Sequence, residues 1–519
     1  MERLFWADQI ADRVIAEKGK KKIYTVAAGI TPSGVIHIGN CREILTVDIA
    51  ARALKDTGAK VRFIYSWDDY DRLRKVPKNM PKAKELEKYL LKPIVLTPDP
   101  FGCHKSYAEH FEKAVEEVLP KIGVNPEFIK QNEMYKKCAY AESIKKALEN
   151  KDTIRKILNK YRKDPLSDEW NPVRIYCEKC GKEEASVTDW DGKYKLSYRC
   201  ECGFESSFDF REKGIAKLQW RVDWPMRWDH EKVDFEPAGK EHSTPGGSRT
   251  VGIEIIKSVY GSEPPVYQMY DYVIIKGAGG KMSSSIGNVI TLNDVLNVYL
   301  PEIARFFFAG TKPVKEFAFS FDEDVIKIYE DFYKTERIYF GKEDVSKRDK
   351  MHWSRVYEMS CIDRPQKSMP VQPSFRHAAT LVNIFDTENA IKRGILDWGA
   401  KTEYDKNRCR QIIENAKFWL ENHAPDKYKF EIKEKADASG LSKSEKNALK
   451  DLGKLLEKPI TEEKLYNQFW DITKKNELAP QDFFRAAYTV LIGKEKGPRL
   501  APFIIAIGRE KVNKLLKQI

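Results

Sequence analysis

Nowhere in its 519 residues does the sequence carry an uninterrupted apolar run of about 18 residues, the length a helix needs to cross a bilayer, so no membrane span is expected. Its opening stretch, Met1-Glu2-Arg3-Leu4-Phe5-Trp6-Ala7-Asp8, contains acids and lacks the apolar segment and small-residue cleavage site of a secretion signal. The expected location is therefore the cytoplasm. There is no internal repeat and no low-complexity tract. Cysteine is scarce, nine in all, and without an export signal the two close pairs among them point to metal binding and not to disulfides. What is present suits a soluble, folded chain: 42% hydrophobic residues exclude disorder, 33% are charged, and the length suggests about three domains. Lys plus Arg number 91 against 78 Asp plus Glu, a net charge of +13 that hints at a polyanionic partner without naming one.

Read along the chain, the first segment is a βαβ unit. Ile23 to Ala28 is a short apolar strand, Gly29 to Gly39 is rich in Gly, Pro, Ser and Thr, and a helical pattern runs from about Asn40 to Thr57. A second strand follows over Lys60 to Ser66. That order begins a doubly wound parallel sheet, whose ligands sit beyond the C-terminal ends of the strands. The expected fold is α/β: a Rossmann-like sheet domain in two halves (1–92 and 216–310) separated by a zinc-ribbon-bearing insertion (93–215). A helical connector (311–370) and an all-α C-terminal domain (371–519) complete it. Strand-like text resumes at Leu218 to Val222 and at Val266 to Ile275. The C-terminal domain holds 28 basic and 21 acidic residues, so seven of the thirteen surplus charges lie there.

Two segments carry phosphate chemistry. Thr31-Pro32-Ser33-Gly34-Val35-Ile36-His37-Ile38-Gly39-Asn40 lies between a strand and a helix, where backbone N–H groups and the helix dipole favour an anion. His37 adds a side-chain donor for a phosphoryl oxygen as charge develops. By itself this Gly-rich turn is equally readable as a surface loop. Lys276-Gly277-Ala278-Gly279-Gly280-Lys281-Met282-Ser283-Ser284-Ser285 follows a predicted strand from the other half of the sheet, with a lysine and hydroxyls for a polyphosphate tail. Together they describe two clamps on one nucleotide. Cys177-x₂-Cys180 and Cys200-x-Cys202, nineteen residues apart with Gly181 and Gly203 behind them, form the two knuckles of a zinc ribbon with four thiolates.

His37-Ile38-Gly39-Asn40 resembles the HIGH signature, and Lys281-Met282-Ser283-Ser284-Ser285 the KMSKS signature, of class I aminoacyl-tRNA synthetases. More narrowly, the chain resembles the class I, archaeal-type lysyl-tRNA synthetases. The likeness rests on Gly29 to Gly34, Trp67-Asp68-Asp69-Tyr70-Asp71 through Pro77, Trp224-Pro225-Met226-Arg227-Trp228, Gly239-Lys240-Glu241-His242 and Gly497-Pro498-Arg499-Leu500. Two positions depart from the general signatures: Asn40 stands at the fourth HIGH position as a neutral hydrogen-bonding group, and Ser284 replaces the second KMSKS lysine, leaving more pyrophosphate charge to Lys281. Both departures fit the lysyl subgroup.

The resemblance implies activation of lysine with ATP and Mg²⁺ to lysyl-adenylate, then transfer to the 3′-terminal adenosine of tRNA(Lys). Catalysis would fall to His37, Asn40 and Lys281. ATP would be held by Ser33, Gly34, His37, Gly39, Asn40, Lys281, Met282, Ser283 and Ser285. The lysine pocket would include Gly29, Thr31, Trp220, His242 and Tyr270, with Asp68, Asp69 and Glu241 all open as partners for the ammonium. Asp99, Cys103, His104 and His110 read as scattered polar residues on their spacing; the resemblance makes them a second zinc site. It also makes the C-terminal helices an anticodon-reading cage, with Lys392, Arg393, Arg408, Arg410, Lys443 and Lys446 available to phosphates, although a charge run is usually a solvated helix face. The chain is expected to be a monomer. Two alternatives remain: a glutamyl-type synthetase, which would need a cationic side-chain partner, and a catalytically silent RNA-binding paralogue.

Overall fold

Ile23–Ile30 (β1) is buried over most of its length, and the near-continuous apolar text of such a strand belongs to a parallel sheet covered on both faces. The computed structural model describes residues 4–77, 80–277 and 289–519. In it β1 pairs in parallel with β2 (Lys60–Trp67), which pairs in parallel with β3 (Glu127–Lys130). After the long excursion described below, β9 (Val233–Phe235) pairs in parallel with the other side of β1, so the order is β3-β2-β1-β9. The chain thus moves to one side of β1 and later returns to the other, which places the topological switch point, and the crevice it opens, at the C-terminal end of β1. Gly29 is required there: a Cβ at this position would lie 2.8 Å from the carbonyl oxygen of Ser66 on β2.

Between β3 and β9 an antiparallel sheet of five strands is inserted. It comprises β4 (Val173–Ile175), β5 (Ala185–Trp190), β6 (Lys195–Cys200), β7 (Glu205–Asp209) and β8 (Ala216–Leu218), in the order β7-β6-β5-β4-β8. Three boundaries differ from the sequence reading. β3 lies inside the span expected to be inserted yet belongs to the parallel sheet; Glu-Phe-Ile-Lys is too short and too charged to stand out as a strand. The expected strand at Leu218 to Val222 ends at Leu218, and Trp220 opens the helix Trp220–Glu231. Within the expected helical connector, Phe317–Phe319 forms a strand in parallel with Val273–Ile275.

The chain divides into two units. One comprises Met1–Val295, Pro301–Phe319 and Asp344–Pro365; the other comprises Leu296–Leu300, Ser320–Glu343 and Gln366–Ile519. In the first, Arg305 is fully buried, 2.8 Å from Asp48 on the helix Cys41–Asp56, and donates to the carbonyls of Ile122 and Met359. The second is helical throughout its described secondary structure. Its helices open on Ser374, Asp386, Thr402, Ser442 and Thr461, whose side chains accept backbone N–H groups of the first turn, with a full capping box at Ser442 and Glu445. Arg408, expected to meet phosphate, is instead buried, with its Nη1 3.0 Å from Glu336. Arg410 and Lys443 are exposed. Among the described residues no helix is long and apolar enough to cross a membrane.

Candidate active site

The strand-to-helix turn after β1 is held from within. The Asn40 side-chain oxygen accepts the His37 N–H at 3.0 Å, and the Asn40 N–H donates to the His37 carbonyl at 2.9 Å. The Ser33 carbonyl accepts the Tyr107 hydroxyl at 3.0 Å, and the Ile38 N–H donates to Ile290 at 2.8 Å. Asn40 therefore shapes the turn ahead of the helix Cys41–Asp56, and the helix N-terminus faces the crevice. The cleft above it is about 630 Å³, within the range of small-molecule sites. Gly29, Thr31, Ser33, Gly34, His37, Gly39 and Asn40 line it from the first turn, and Trp220, Glu241, His242 and Tyr270 from the second half of the sheet domain. Residues as far apart in sequence as Gly29 and Tyr270 are thus brought to one site. Lys281, Met282, Ser283 and Ser285 lie outside the described residues.

Asp69 takes a different course. It is 1% exposed and lines neither this cleft nor the pocket beneath it, and one of its oxygens accepts the Asn132 N–H at 2.8 Å. Asp68 lines both, but it is engaged by Arg227 at 2.5 Å. Glu241 lines the cleft and accepts the Tyr272 hydroxyl at 3.1 Å.

The floor of the cleft continues into a smaller pocket with a different character. Its aromatic wall is Trp220 and Trp224, stacked at 5.3 Å with planes 11° apart, followed by Trp228 one helical turn on. The Arg227 guanidinium, paired with Asp68, lies 5.4 Å from the Trp220 ring. Two carboxylates enter this pocket. Glu43 accepts the Gly29 N–H at 3.0 Å and the Tyr270 hydroxyl at 2.5 Å; Glu236 accepts the indole N–H groups of Trp224, at 3.0 Å, and of Trp228. Burial pushes Glu43 up to about 7, against the pull of the Tyr270 and Gly29 hydrogen bonds. Burial likewise raises Glu236. Among the described residues neither forms an ion pair; Arg227, the cation in the lining, pairs with Asp68 and offsets the burial of Glu236 only in part. Its chemistry fits a guest with an ammonium head and an apolar stem.

The match to known proteins is full-length. The family model described as tRNA synthetases class I (K) covers residues 4–363, and the model described as an anticodon binding domain covers 406–519. The chain belongs to the class I tRNA synthetases. Among its relatives, proteins named lysine–tRNA ligase are 47% identical in Borreliella burgdorferi, with 99% of each chain covered, and 43% identical in Pyrococcus horikoshii, again with 99% of each covered. One from Treponema pallidum is 40% identical over 99% of this chain and 98% of its own.

Of the synthetase's pocket residues, sequence reasoning missed Glu43, Glu236 and Trp224. A signal existed for Glu43 and Trp224 but not for Glu236. Glu43 sits in the first turn of the helix behind the HIGH-like turn, where it faces the same crevice. The tryptophans at 220, 224 and 228 repeat every four residues, a helical spacing, whereas the strand expected over Leu218 to Val222 took in the first of them.

Two ligand clusters accompany the catalytic unit. Cys177 and Cys180 follow β4, Cys200 ends β6 and Cys202 follows it, and Gly181 and Gly203 turn the two knuckles at φ +75° and +81°. The sulfurs of Cys177 and Cys202 are 3.8 Å apart and those of Cys180 and Cys200 3.6 Å. Four thiolates at ~2.3 Å around a tetrahedral zinc would be about 3.8 Å apart, so this set fits that metal. In the second cluster the Cys103 sulfur is 3.1 Å from His104 Nδ1, 3.3 Å from His110 Nδ1 and 3.4 Å from Asp99. Burial pushes the Asp99 carboxyl up, but the N–H groups of Phe101, His104 and Cys103 outweigh it and hold it at about 2. Oxygen, sulfur and two imidazole nitrogens converging in this way again fit zinc.

Proposed function

We propose that this synthetase is specific for lysine. It joins lysine to ATP as lysyl-adenylate, releasing pyrophosphate, and passes the lysyl group to the 3′-terminal adenosine of tRNA(Lys). The observation that carries this reading is the pair of buried carboxylates, Glu43 and Glu236, neither held in an ion pair among the described residues, beneath an aromatic wall at the switch point of the sheet. Glu43, with Tyr270, receives the ammonium; Trp220 and Trp224 flank the methylene stem, and Gly29, Thr31 and His242 border its entrance. A glutamate side chain would need a free cation here, and Arg227 is already committed to Asp68. The names of the full-length relatives point the same way.

The adenylation step needs alignment and charge stabilisation more than covalent help. Ser33, Gly34, Gly39 and the helix N-terminus hold the phosphates, and His37 donates to the α-phosphate as charge builds. Lys281, with Met282, Ser283 and Ser285, takes the departing pyrophosphate. Mg²⁺ accompanies ATP and supplies countercharge. We assign one zinc to the four cysteines as a structural clamp on the inserted sheet, and a second to Asp99, Cys103, His104 and His110. The protein works in the cytoplasm as a monomer.

Amino-acid-dependent ATP–pyrophosphate exchange across all twenty amino acids, run with and without tRNA, tests the assignment. Exchange with lysine alone is expected. Exchange with glutamate and none with lysine would sink it, and tRNA binding without any lysine charging would favour a silent paralogue.

A further inference from the structure

Two neighbouring side chains at the start of the helix Cys41–Asp56 leave it in different directions. Glu43 enters the pocket; Arg42, about 100° around the helix, is 1% exposed and lines neither the pocket nor the cleft. Its Nη2 shares its N–H groups among three backbone carbonyls of one turn, Lys312 at 2.8 Å, Pro313 at 3.0 Å and Lys315 at 3.1 Å. The guanidinium lies 4.9 Å from the Phe317 ring and 5.9 Å from that of Phe308. Among the described residues no carboxylate forms an ion pair with it, and burial lowers it to about 10, opposed by the charge of Asp271. Packing alone does not explain such an arginine: an apolar side chain would fill the space between Phe308 and Phe317 without desolvating a charge. What only a donor supplies is the bond to the turn.

That turn leads back to the pocket. The Pro313 carbonyl that accepts from Arg42 also accepts the Asp271 N–H at 2.9 Å. Asp271 stands between Tyr270 and Tyr272, which both line the cleft; the Tyr270 hydroxyl donates to Glu43 at 2.5 Å and the Tyr272 hydroxyl to Glu241 at 3.1 Å. The path from Arg42 through Pro313, Asp271 and Tyr270 to Glu43 therefore closes on the residue next to its starting point. The strand Phe317–Phe319, just beyond the turn, pairs with Val273–Ile275 and extends the same constraint. We propose that Arg42 is a positioning residue for the ammonium site: it fixes the segment from Tyr270 to Val273 against the helix Cys41–Asp56, so that the Tyr270 hydroxyl is held on Glu43 before lysine arrives. The inference rests on the reading above that Glu43 and Tyr270 receive the lysine ammonium. Arg42 lines no part of either cavity and acts only through this ring of contacts.

The test is a double-mutant cycle in the full chain, Arg42→Met against Tyr270→Phe, read by steady-state charging. Methionine keeps an apolar stem between the two phenylalanines and removes every donor. Alone, Arg42→Met is expected to raise the KM for lysine roughly tenfold, with kcat and the KM for ATP within about twofold of wild type. Tyr270→Phe is expected to raise the lysine KM by a similar factor. In that background Arg42→Met adds less than about twofold, because the hydroxyl it positions is gone. Full additivity, roughly a hundredfold, or a loss spread over kcat and the KM for ATP would overturn the proposal. Arg42→Lys keeps a cation with three N–H donors on a stem one bond shorter, and is expected to bring the lysine KM within about threefold of wild type. A KM as high as that of Arg42→Met means a packing defect and overturns it too. Should Arg42→Met not fold, the cycle is read on Arg42→Lys, whose smaller effect must likewise vanish beside Tyr270→Phe. A wild type that never charges lysine, or a Tyr270→Phe variant with the wild-type lysine KM, defeats the functional reading and this inference with it. A Tyr270→Phe effect that simply adds to that of Arg42→Met defeats the positioning role alone.

Discussion

Glu43→Gln is the substitution on which most of the pocket chemistry turns. The amide is isosteric: its oxygen can still accept the Gly29 N–H, 3.0 Å away in the wild type, and its NH2 can donate to the Tyr270 hydroxyl oxygen, 2.5 Å away, so the backbone and the cleft should hold their shape. What is lost is the charge facing the ammonium. A buried hydrogen bond to a charged partner contributes about 1.5–3 kcal/mol, so kcat/KM for lysine should fall roughly 10- to 150-fold.

The pH dependence sharpens the test. Because Glu43 ionises at about 7 in the free protein and lysine needs the carboxylate, the wild-type KM for lysine should rise roughly tenfold from about pH 8 to about pH 6. In Glu43→Gln that dependence should vanish. Stability runs the other way. The folded pKa is raised from 4.5 to about 7, so the folded protein holds this proton more tightly than the unfolded chain does. Wild-type stability therefore declines as pH climbs through that window, and the ligand-free variant should melt higher than the wild type above about pH 7. The difference should be on the order of 1–3 kcal/mol and absent near pH 4. Steady-state charging with lysine titrated at each pH, beside thermal melts, reads both effects. A variant whose lysine kcat/KM stays within about twofold of wild type, with the same pH slope, refutes the assignment of Glu43.

His37→Ala should lower single-turnover adenylate formation roughly 100-fold and leave tRNA binding within about twofold; equal losses in both would remove its role at the α-phosphate. Metal analysis of the native protein should find zinc at both clusters. Cys177→Ser should lose one equivalent and lower the melting temperature, whereas Asp99→Asn/His110→Ala should lose the other; zinc-free native protein would refute the ribbon.

The parts that were legible in the sequence share a property: their chemistry is local. A strand, a glycine-rich turn and a helix follow one another directly from Ile23 to Asp56, so the turn that lines the cleft could be read before any fold was known. The cysteine knuckles were legible for the same reason, since two close cysteine pairs can be read off the spacing alone, and the four sulfurs do converge. The family resemblance added the lysine pocket, and Gly29, Thr31, Trp220, His242 and Tyr270 do meet around one cleft. Asp69 did not follow, because neighbouring residues at a strand end face different ways: Asp68 turns to the cleft and Asp69 into the interior.

By itself, then, the sequence determined the residue types, the turn that precedes the helix Cys41–Asp56 and the spacing of the four knuckle cysteines. Tertiary structure alone decided which charges are neutralised. Arg408 and Arg410 are indistinguishable as text, yet one is buried against Glu336 and the other is exposed. Glu43 and Glu236 meet in one pocket only because strands and helices nearly two hundred residues apart come together and exclude water from both. Desolvation and pairing are properties of the assembled surroundings and not of a residue or its neighbours in the chain, so no local pattern records them.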